Sequence, residues 1–199
     1  MANKEKKIQD ILSKESSLDS RFIYNHKELE EVVNFFKRGN KRIVLTQGVY
    51  DLIHEGHAMY LERARTYGDI LIVGVDSDEL TKKRKGPDRP IVPQQERLKM
   101  LAHLRSVDIV TIKEVEHGIG DLIRLIKPDV LVTSESTSDF TSDLKKEYED
   151  YCKKIVTIPP TAATSTTARI RDLTIEGANK LGKEIENLTK EFISKIKGE

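Results

Sequence analysis

The sequence predicts an α/β protein, a doubly wound sheet of five parallel strands with an extra N-terminal helix and a long C-terminal helix. Two observations carry this prediction. Five short apolar runs are unbroken rather than alternating, which is typical of strands buried on both faces of a sheet. Helical patterns separate these runs, and strands that alternate with helices form right-handed βαβ units.

The predicted strands are rich in β-branched residues, which favour an extended backbone. In chain order they are RIVLTQ at 42–47, ILIVGV at 70–75, DIVTI at 108–112, DVLVTS at 129–134 and KIVTIP at 154–159. The helical patterns between them are a segment with Met59, Leu61 and Ala64, then residues 95–104, 121–126 and 142–154. Pro93 is expected at the first position of the second of these helices, a position that suits proline.

The ends of the chain lie outside this alternation. Residues 26–38 predict a helix whose apolar face consists of Leu29, Val32, Val33 and Phe36. Residues 170–197 predict one long helix after the last strand. We therefore expect an N-terminal extension (1–25), a Rossmann-like domain (26–172) and a C-terminal helical extension (173–199).

The predicted C-terminal helix has an apolar stripe with members three and four residues apart. These are Ala178, Leu181, Ile185, Leu188, Phe192 and Ile196, and Glu186–Lys190 and Glu191–Lys195 are expected as ion pairs on the outside. One interpretation is that the stripe packs on the preceding domain. The other is that it forms the seam of a homodimer.

Composition narrows the class of protein. The 199 residues are 37% hydrophobic and 34% charged, and the net charge of +1 argues against a nucleic-acid partner, which usually requires a basic excess. Cys152 is the single cysteine, so an intrachain disulfide is excluded and a reducing compartment is favoured. The N-terminus lacks the apolar region of a secretory signal. No run approaches the roughly 18 apolar residues of a membrane span, so we expect a cytoplasmic protein with no membrane partner.

The segment QGVYDLIHEGH, from Gln47 to His57, is the strongest candidate for a functional site. It follows the first strand, and a helix is expected to start near Gly56. Helix N-termini at the carboxyl ends of parallel strands attract anions because their N–H groups are free. His54 and His57 are expected on the same face, where imidazoles can donate N–H bonds to phosphate oxygens. The alternatives are one buried and one surface histidine, or a zinc site that lacks a third His or Cys at ligand spacing.

The run from Gly48 to His57 resembles the cytidylyltransferase-like nucleotidyltransferase superfamily. Two further stretches match that superfamily in order: VDSDELTKKRKGPDRPIVPQQER at 75–97 and TSTTARIR at 164–171. They are similar to a basic loop after the second strand, an arginine on the next helix and an S-T-T motif at the start of the last helix. The similarity covers roughly residues 25–172.

The resemblance implies transfer of the nucleoside monophosphate part of an NTP to a phosphorylated small molecule, with release of pyrophosphate. The catalytic residues that it implies are His54, His57, Lys82 and Arg97. The nucleotide-binding residues that it implies are Gln47, Gly48, Val49, Tyr50, Asp51, Gly56, Lys85, Ser165, Thr166 and Thr167. Mg²⁺ is expected to enter with the NTP phosphates, and no metal is expected on protein side chains. The ordinary alternatives are a solvated basic face for residues 82–85 and simple helix capping for the hydroxyls.

Residues 77–97 look most like the adenylyltransferase domain of ADP-heptose synthesis. This similarity implies ATP and a sugar 1-phosphate such as heptose 1-phosphate, with CTP and glycerol 3-phosphate or phosphoethanolamine as the alternative. Residues 133–137 and 160–164 depart from that pattern: the first lack its lysine and Gly-Gly-Asp-type turn, the second its glycine and acidic residue. Both turns are expected near the acceptor, for which Asp76, Ser134 and Glu135 are candidate ligands.

Three rival functions remain open. A non-catalytic nucleotide-binding regulatory protein is expected to lose His54, His57 or the S-T-T hydroxyls, and none is lost. A nucleic-acid module built on residues 82–85 is expected to have interleaved aromatic residues, which this segment lacks. A fragment of a class I aminoacyl-tRNA synthetase also has an H-x-G-H element, but the chain is short for one and has no K-M-S-K-S-like run.

Overall fold

Five parallel strands form one sheet, in the order β3-β2-β1-β4-β5, within the part of the chain that the structure describes. This computed structural model describes residues 2–13, 18–118, 120–135, 142–159 and 166–197. The strands are β1 (Ile43–Gly48), β2 (Ile70–Asp76), β3 (Ile109–Lys113), β4 (Val130–Ser134) and β5 (Lys154–Ile158). Each corresponds to one of the predicted apolar runs, and the predicted fold class is confirmed.

Helices occupy the connections between the strands and both ends of the chain. They are α1 (Ala2–Leu12), α2 (Leu18–Arg21), α3 (His26–Arg38), α4 (Glu55–Arg65), α5 (Asp78–Lys85), α6 (Gln94–His103), α7 (Asp121–Ile126), α8 (Ser142–Glu149) and α9 (Thr166–Lys197). Residues 1–161 and residues 162–199 form separate compact units. In the described part of the chain, no helix is both long and apolar enough to span a bilayer.

Helix α3 shows how the sequence determines one of these elements. The side chain of Asn25 accepts hydrogen bonds from the amides of Lys27 and Glu28, at 2.9 and 3.1 Å, and so fixes the first turn. Its apolar face is buried in the core below the sheet, as predicted. Each such side chain contributes about 1.5–3 kcal/mol by leaving water, so this packing stabilises the helix more than its cap does.

The N-terminal extension packs against the domain that follows it, a contact that the sequence analysis did not predict. Ile8 and Ile11 of α1 are buried in the same core cluster as α3. Phe22 bridges to Val110 beside the edge strand β3, and Arg21 donates to the carbonyl of Ala102 at 2.8 Å. The extension therefore covers one edge of the sheet, a place where unpaired backbone groups would otherwise be exposed.

Three local predictions need correction. The basic segment after β2 is helical as far as Lys85 rather than a loop, because Ser77 caps it by accepting from the amide of Leu80 at 3.2 Å. Pro93 is the N-cap of α6 rather than its first helical residue. Helix α8 also ends at Glu149, earlier than the predicted residue 154.

Helix α9 forms the second unit and begins four residues earlier than the predicted residue 170. Leu181, Ile185 and Leu188 of the predicted stripe are 58%, 55% and 64% exposed. Lys190 pairs with Glu186 at 2.6 Å, as predicted. The side chains of Glu191 and Lys195 lie outside the described residues. Both interpretations of the stripe stay predictions.

Candidate active site

The site lies where the direction of winding changes. Strand β1 pairs with β2 on one side and with β4 on the other, so β2 and β3 extend the sheet to one side of β1 and β4 and β5 extend it to the other. In open parallel sheets, ligands bind outside the carboxyl ends of the strands at this switch point. The chain leaves β1 there and enters α4 through residues 49–54.

The turn after β1 contains two left-handed residues, Tyr50 with φ 54° and Leu52 with φ 47°. This conformation costs a residue with a β-carbon roughly 1–2 kcal/mol. It directs the side chain of Asp51 inward, where the residue is 3% exposed. Strain of this kind persists where the surrounding structure holds it, and functional sites are common places for it.

His54 and His57 meet at the N-terminus of α4, with ring centroids 4.1 Å apart. His54 is the N-cap, and its Nδ1 accepts from the amide of Gly56 at 3.1 Å. The amide of His54 donates to Nδ1 of His57 at 3.3 Å. Since both Nδ1 atoms accept, the hydrogen-bond pattern assigns the proton of each neutral ring to Nε2. The predicted pairing of the histidines on one face is confirmed.

His57 is held in its neutral form. The pKa of His57 is lowered from 6.5 to about 4, chiefly by burial and then by the neighbouring His54 and Lys85, against an opposing effect of Asp51. At neutral pH the ring is therefore a hydrogen-bond donor and not a cation. A triphosphate placed beside it would favour the protonated form, because an opposite charge within a few ångströms stabilises it.

A buried hydroxyl network fixes α4 against the sheet. Tyr60 donates to the carbonyl of Val132 on β4 at 3.2 Å, and Thr46 on β1 is 2.7 Å from the Tyr60 hydroxyl. Burial raises the pKa of Tyr60 to about 12, so this hydroxyl keeps its proton. The network therefore links β1, β4 and α4 through hydrogen bonds.

Lys82 and Lys85 are exposed on the last turn of α5, as a role on phosphate requires. Of the two, Lys85 has a charge that acts on His57. Glycines allow close approach nearby. A β-carbon on Gly48 would lie 3.1 Å from the ring of Tyr50, and Gly56 is buried in the first turn of α4. Gln47 and Val49 flank Gly48 at the end of β1.

Arg97 lies in the interior and is 1% exposed, unlike the two lysines. Its Nε donates to the carbonyl of Val92 at 2.9 Å, and its Nη1 donates to the carbonyls of Val49 and Asp76. Its Nη2 donates to Asp78 at 2.7 Å. The guanidinium therefore donates four hydrogen bonds to protein atoms. Its predicted catalytic role stays a prediction, and the structure adds a packing role.

The predicted acceptor ligands differ in exposure. Ser134 and Glu135 lie at the accessible end of β4. Asp76 is fully buried and pairs with Arg84 and, at 3.5 Å, with Lys113. The sequence analysis missed Lys113, although it ends β3 as Asp76 ends β2 and the two are register partners. Burial lowers the pKa of Lys113, while Asp76 raises it.

The sequence analysis also missed Arg89, which pairs with Asp51 at 3.1 Å. Its position between Gly86 and Pro90 in a loop next to the basic helix was the available signal. Ser165 lies outside the described residues, and Thr166 and Thr167 are the first residues of α9. Among the residues described, no group of three or more His, Cys, Asp or Glu side chains could hold a metal ion.

Comparison with known proteins identifies a family and several relatives of this chain. Residues 45–176 match the family described as Cytidylyltransferase-like. The bifunctional protein HldE of Nitratiruptor sp. is 47% identical over 111 residues, which cover 56% of this chain and 24% of that protein. The bifunctional protein HldE of Aliarcobacter butzleri is 37% identical over 171 residues, which cover 83% of this chain and 35% of the relative. The chain thus spans between about a quarter and a third of these relatives.

Several solved structures have a fold similar to that of this chain. The lipopolysaccharide core biosynthesis protein from Thermoplasma volcanium has a TM-score of 0.53 and 27% identity, covering 61% of this chain and 99% of that one. The pantoate-beta-alanine ligase from Francisella tularensis has a TM-score of 0.55 and 18% identity, covering 80% of this chain and 76% of that one. The second similarity concerns the fold alone.

Proposed function

The chain belongs to the cytidylyltransferase-like family of nucleotidyltransferases, and on that premise we propose that it transfers a nucleotidyl group from an NTP to a phosphorylated small molecule. The observation that carries this proposal is the pair of imidazoles at the N-terminus of α4, each with its proton on Nε2. Such a pair, with Lys85 nearby, offers directed donors and a cation to the phosphates of an NTP.

In the proposed reaction, an oxygen of the acceptor phosphate attacks the α-phosphorus of the MgNTP substrate. A new P–O bond forms, the bond from the α-phosphorus to the bridging oxygen breaks, and pyrophosphate leaves with that electron pair. The acceptor phosphate has a second pKa near 6, so at neutral pH it is nucleophilic without a general base. The protein contributes position and charge stabilisation, which dominate phosphoryl-type transfers.

His54 and His57 are assigned to the transferring and leaving phosphates. A neutral Nε2–H donates to an anionic oxygen without the desolvation cost that a buried cation such as a lysine ammonium would carry. Lys82 and Lys85 are assigned to the outer phosphates, where an exposed ammonium can follow a changing charge. Thr166 and its neighbouring hydroxyls keep their predicted nucleotide-binding role as part of this proposal.

ATP is the proposed nucleotide, and a sugar 1-phosphate similar to heptose 1-phosphate is the proposed acceptor. Two observations support this choice: the resemblance of residues 77–97 to the adenylyltransferase domain of ADP-heptose synthesis, and the identity to bifunctional HldE proteins. Ser134 and Glu135 are the proposed contacts of the acceptor, because they border β4 at the switch point. A carboxylate there suits sugar hydroxyls better than a phosphate, which it would repel.

Pyrophosphate release with each of the four common NTPs, Mg²⁺ and a panel of sugar 1-phosphates and alcohol phosphates tests the proposal. We expect release with ATP and a sugar 1-phosphate. Release with CTP and an alcohol phosphate would keep the mechanism and replace both substrates. Binding of an NTP with no release across the panel would favour the non-catalytic regulatory protein. Lys83→Gln is a suitable control for Lys85→Gln in this assay. Lys83 is exposed on α5, and its charge is not among those acting on His57.

A further inference from the structure

The basic helix α5 is fastened to the molecule at both ends. At its start, the amide of Asp78 donates to the side chain of Gln94 at 2.8 Å, and the Asp78 carboxylate pairs with Arg97 at 2.7 Å. Both partners lie on α6. The N-terminal end of α5 is therefore held by the first turn of the next helix rather than by the sheet alone.

Beyond its last residue, the chain returns to the histidine turn. The loop of residues 86–93 leaves Lys85 through Gly86, whose φ of 100° a residue with a β-carbon rarely adopts. The Asp51 carboxylate then accepts from the amides of Ile91 and Val92, each at 2.9 Å. The loop carries no regular structure of its own, so these bonds fix its path.

Asp51 and Arg97 both connect the turn after β1 with the loop of residues 86–93, Asp51 as a hydrogen-bond acceptor and Arg97 as a donor. Asp51 lies in the turn and accepts amide protons from the loop, whereas Arg97 donates to the carbonyl of Val49 in the turn and to that of Val92 in the loop. Their charges are compensated inside the protein, by Arg89 for Asp51 and by Asp78 for Arg97. A buried charge that is paired and hydrogen-bonded in this way adds geometric precision even where it adds little stability.

We propose that Asp51 and Arg97 are positioning residues of the active site. Together they form a brace that holds the loop of residues 86–93 against the histidine turn and so places Lys85 beside His57. Neither residue contacts a phosphate in this proposal, since they are 3% and 1% exposed. The contribution of the brace to catalysis rests on the proposed function, whereas its effect on the loop and on NTP binding does not.

Hydrogen exchange of the substrate-free protein tests the structural half. In Asp51→Asn the amide side chain can accept from one loop amide but presents N–H to the other, so one bond is lost. We expect exchange at the Ile91 or Val92 amide to rise about ten-fold, which corresponds to the net loss of one hydrogen bond of about 1.4 kcal/mol. Amides in β1 and α6 should keep their wild-type exchange. Asp88→Asn is the matched control, because Asp88 is exposed in the same loop.

NTP affinity tests whether the brace serves the site. Asp51→Asn and Arg97→Lys should each weaken NTP binding by about ten-fold or more, because the cation beside His57 is no longer held in place. Lys99→Gln, an exposed cation on α6, should leave the affinity unchanged. If Arg97 were instead a phosphate ligand, Arg97→Lys would weaken binding with wild-type exchange in the loop, and that result would overturn the proposal.

The remaining outcomes also decide the question. Faster loop exchange with NTP affinity within about two-fold of the wild type would make the brace a packing feature only and overturn the proposal. If Asp51→Asn fails to fold, Arg97→Lys supplies the same two measurements. A wild-type protein that binds NTP but releases no pyrophosphate would overturn the proposed function, while exchange and affinity still judge the brace.

Discussion

The backbone amide of His54 donates a hydrogen bond to Nδ1 of His57, with 3.3 Å between the two nitrogen atoms. This bond selects the tautomer of His57, because a ring nitrogen that accepts cannot carry the proton. The donor of the neutral ring is then Nε2. Under the proposed function, His57 therefore combines helix capping through Nδ1 with ligand recognition through Nε2, and the spacing of H-x-G-H allows both.

The tautomer predicts a difference between two isosteric replacements of His57. Glutamine places its amide nitrogen near the position of Nε2, whereas asparagine places its own near that of Nδ1. We expect His57→Asn to lower turnover by about 10²–10³-fold, as loss of a transition-state donor does in other enzymes. His57→Gln should retain clearly more activity. Steady-state pyrophosphate release measures both, and a more active asparagine variant would show that Nδ1 is the donor.

The low pKa of His57 predicts how stability depends on pH. The unfolded chain takes up a proton at His57 near pH 6.5, but the folded protein does so only near pH 4. The free energy of unfolding should therefore fall as the pH is lowered through this window, by roughly 2.5 kcal/mol between pH 7 and pH 4.5 from this group.

Urea unfolding of the wild type and of His57→Gln at pH 7 and pH 4.5 isolates that contribution. Other titrating groups act in both proteins, so the difference between the two pH responses belongs to His57. We expect the glutamine variant to lose less stability on acidification. Equal losses in the two proteins would mean that His57 titrates alike in the folded and unfolded chains.

Lys85 provides a separate test of the electrostatics. Burial is the main cause of the low pKa of His57, and the charges of His54 and Lys85 follow in that order. Lys85→Gln should therefore raise the pKa of His57 and weaken NTP binding, while Lys83→Gln should change neither. Titration of the histidine ring signals by NMR gives the pKa directly. An unchanged pKa in Lys85→Gln would place the ammonium away from the ring.

The sequence was sufficient to predict the fold where the apolar runs are unbroken and the helical patterns are periodic. Unbroken β-branched runs have few alternatives to a buried parallel strand, and the helix over residues 26–38 was predicted to its ends because its apolar face is continuous. The family resemblance is likewise confirmed by the match over residues 45–176. Local pattern was sufficient in these cases because the deciding contacts are local or follow from periodicity.

Prediction failed where the deciding contacts come from distant segments. The sequence analysis predicted a catalytic role for Arg97 but not its buried contacts with the carbonyls of Val49, Asp76 and Val92, which are supplied by three different parts of the chain. The docking of α1 through Ile8 and Ile11 was missed because the segment around them is strongly charged. Single apolar residues in such a segment do not indicate which surface of the protein will bury them.

Gly68 and Gly177 predict alanine substitutions of opposite effect. A β-carbon on Gly68 would lie 2.6 Å from a methyl group of Val44 and 2.8 Å from the carbonyl oxygen of Arg42. That carbonyl accepts from the amides of Asp69 and Ile70, at 2.8 and 3.1 Å, where β1 and β2 begin to pair. It cannot move without disturbing the sheet, so Gly68→Ala should destabilise the first unit by about 1–3 kcal/mol.

At Gly177, within α9, no atom of the residues that the structure describes lies within 4 Å of an added β-carbon. Gly177→Ala should therefore stabilise that helix by about 0.5–1 kcal/mol, since alanine loses less backbone entropy on folding. Thermal unfolding should show a Tm lower by about 2–4 °C per kcal/mol in Gly68→Ala. Slower amide exchange in α9 should mark Gly177→Ala. A wild-type Tm in Gly68→Ala would mean that the start of the β1–β2 pairing can shift to admit a methyl group.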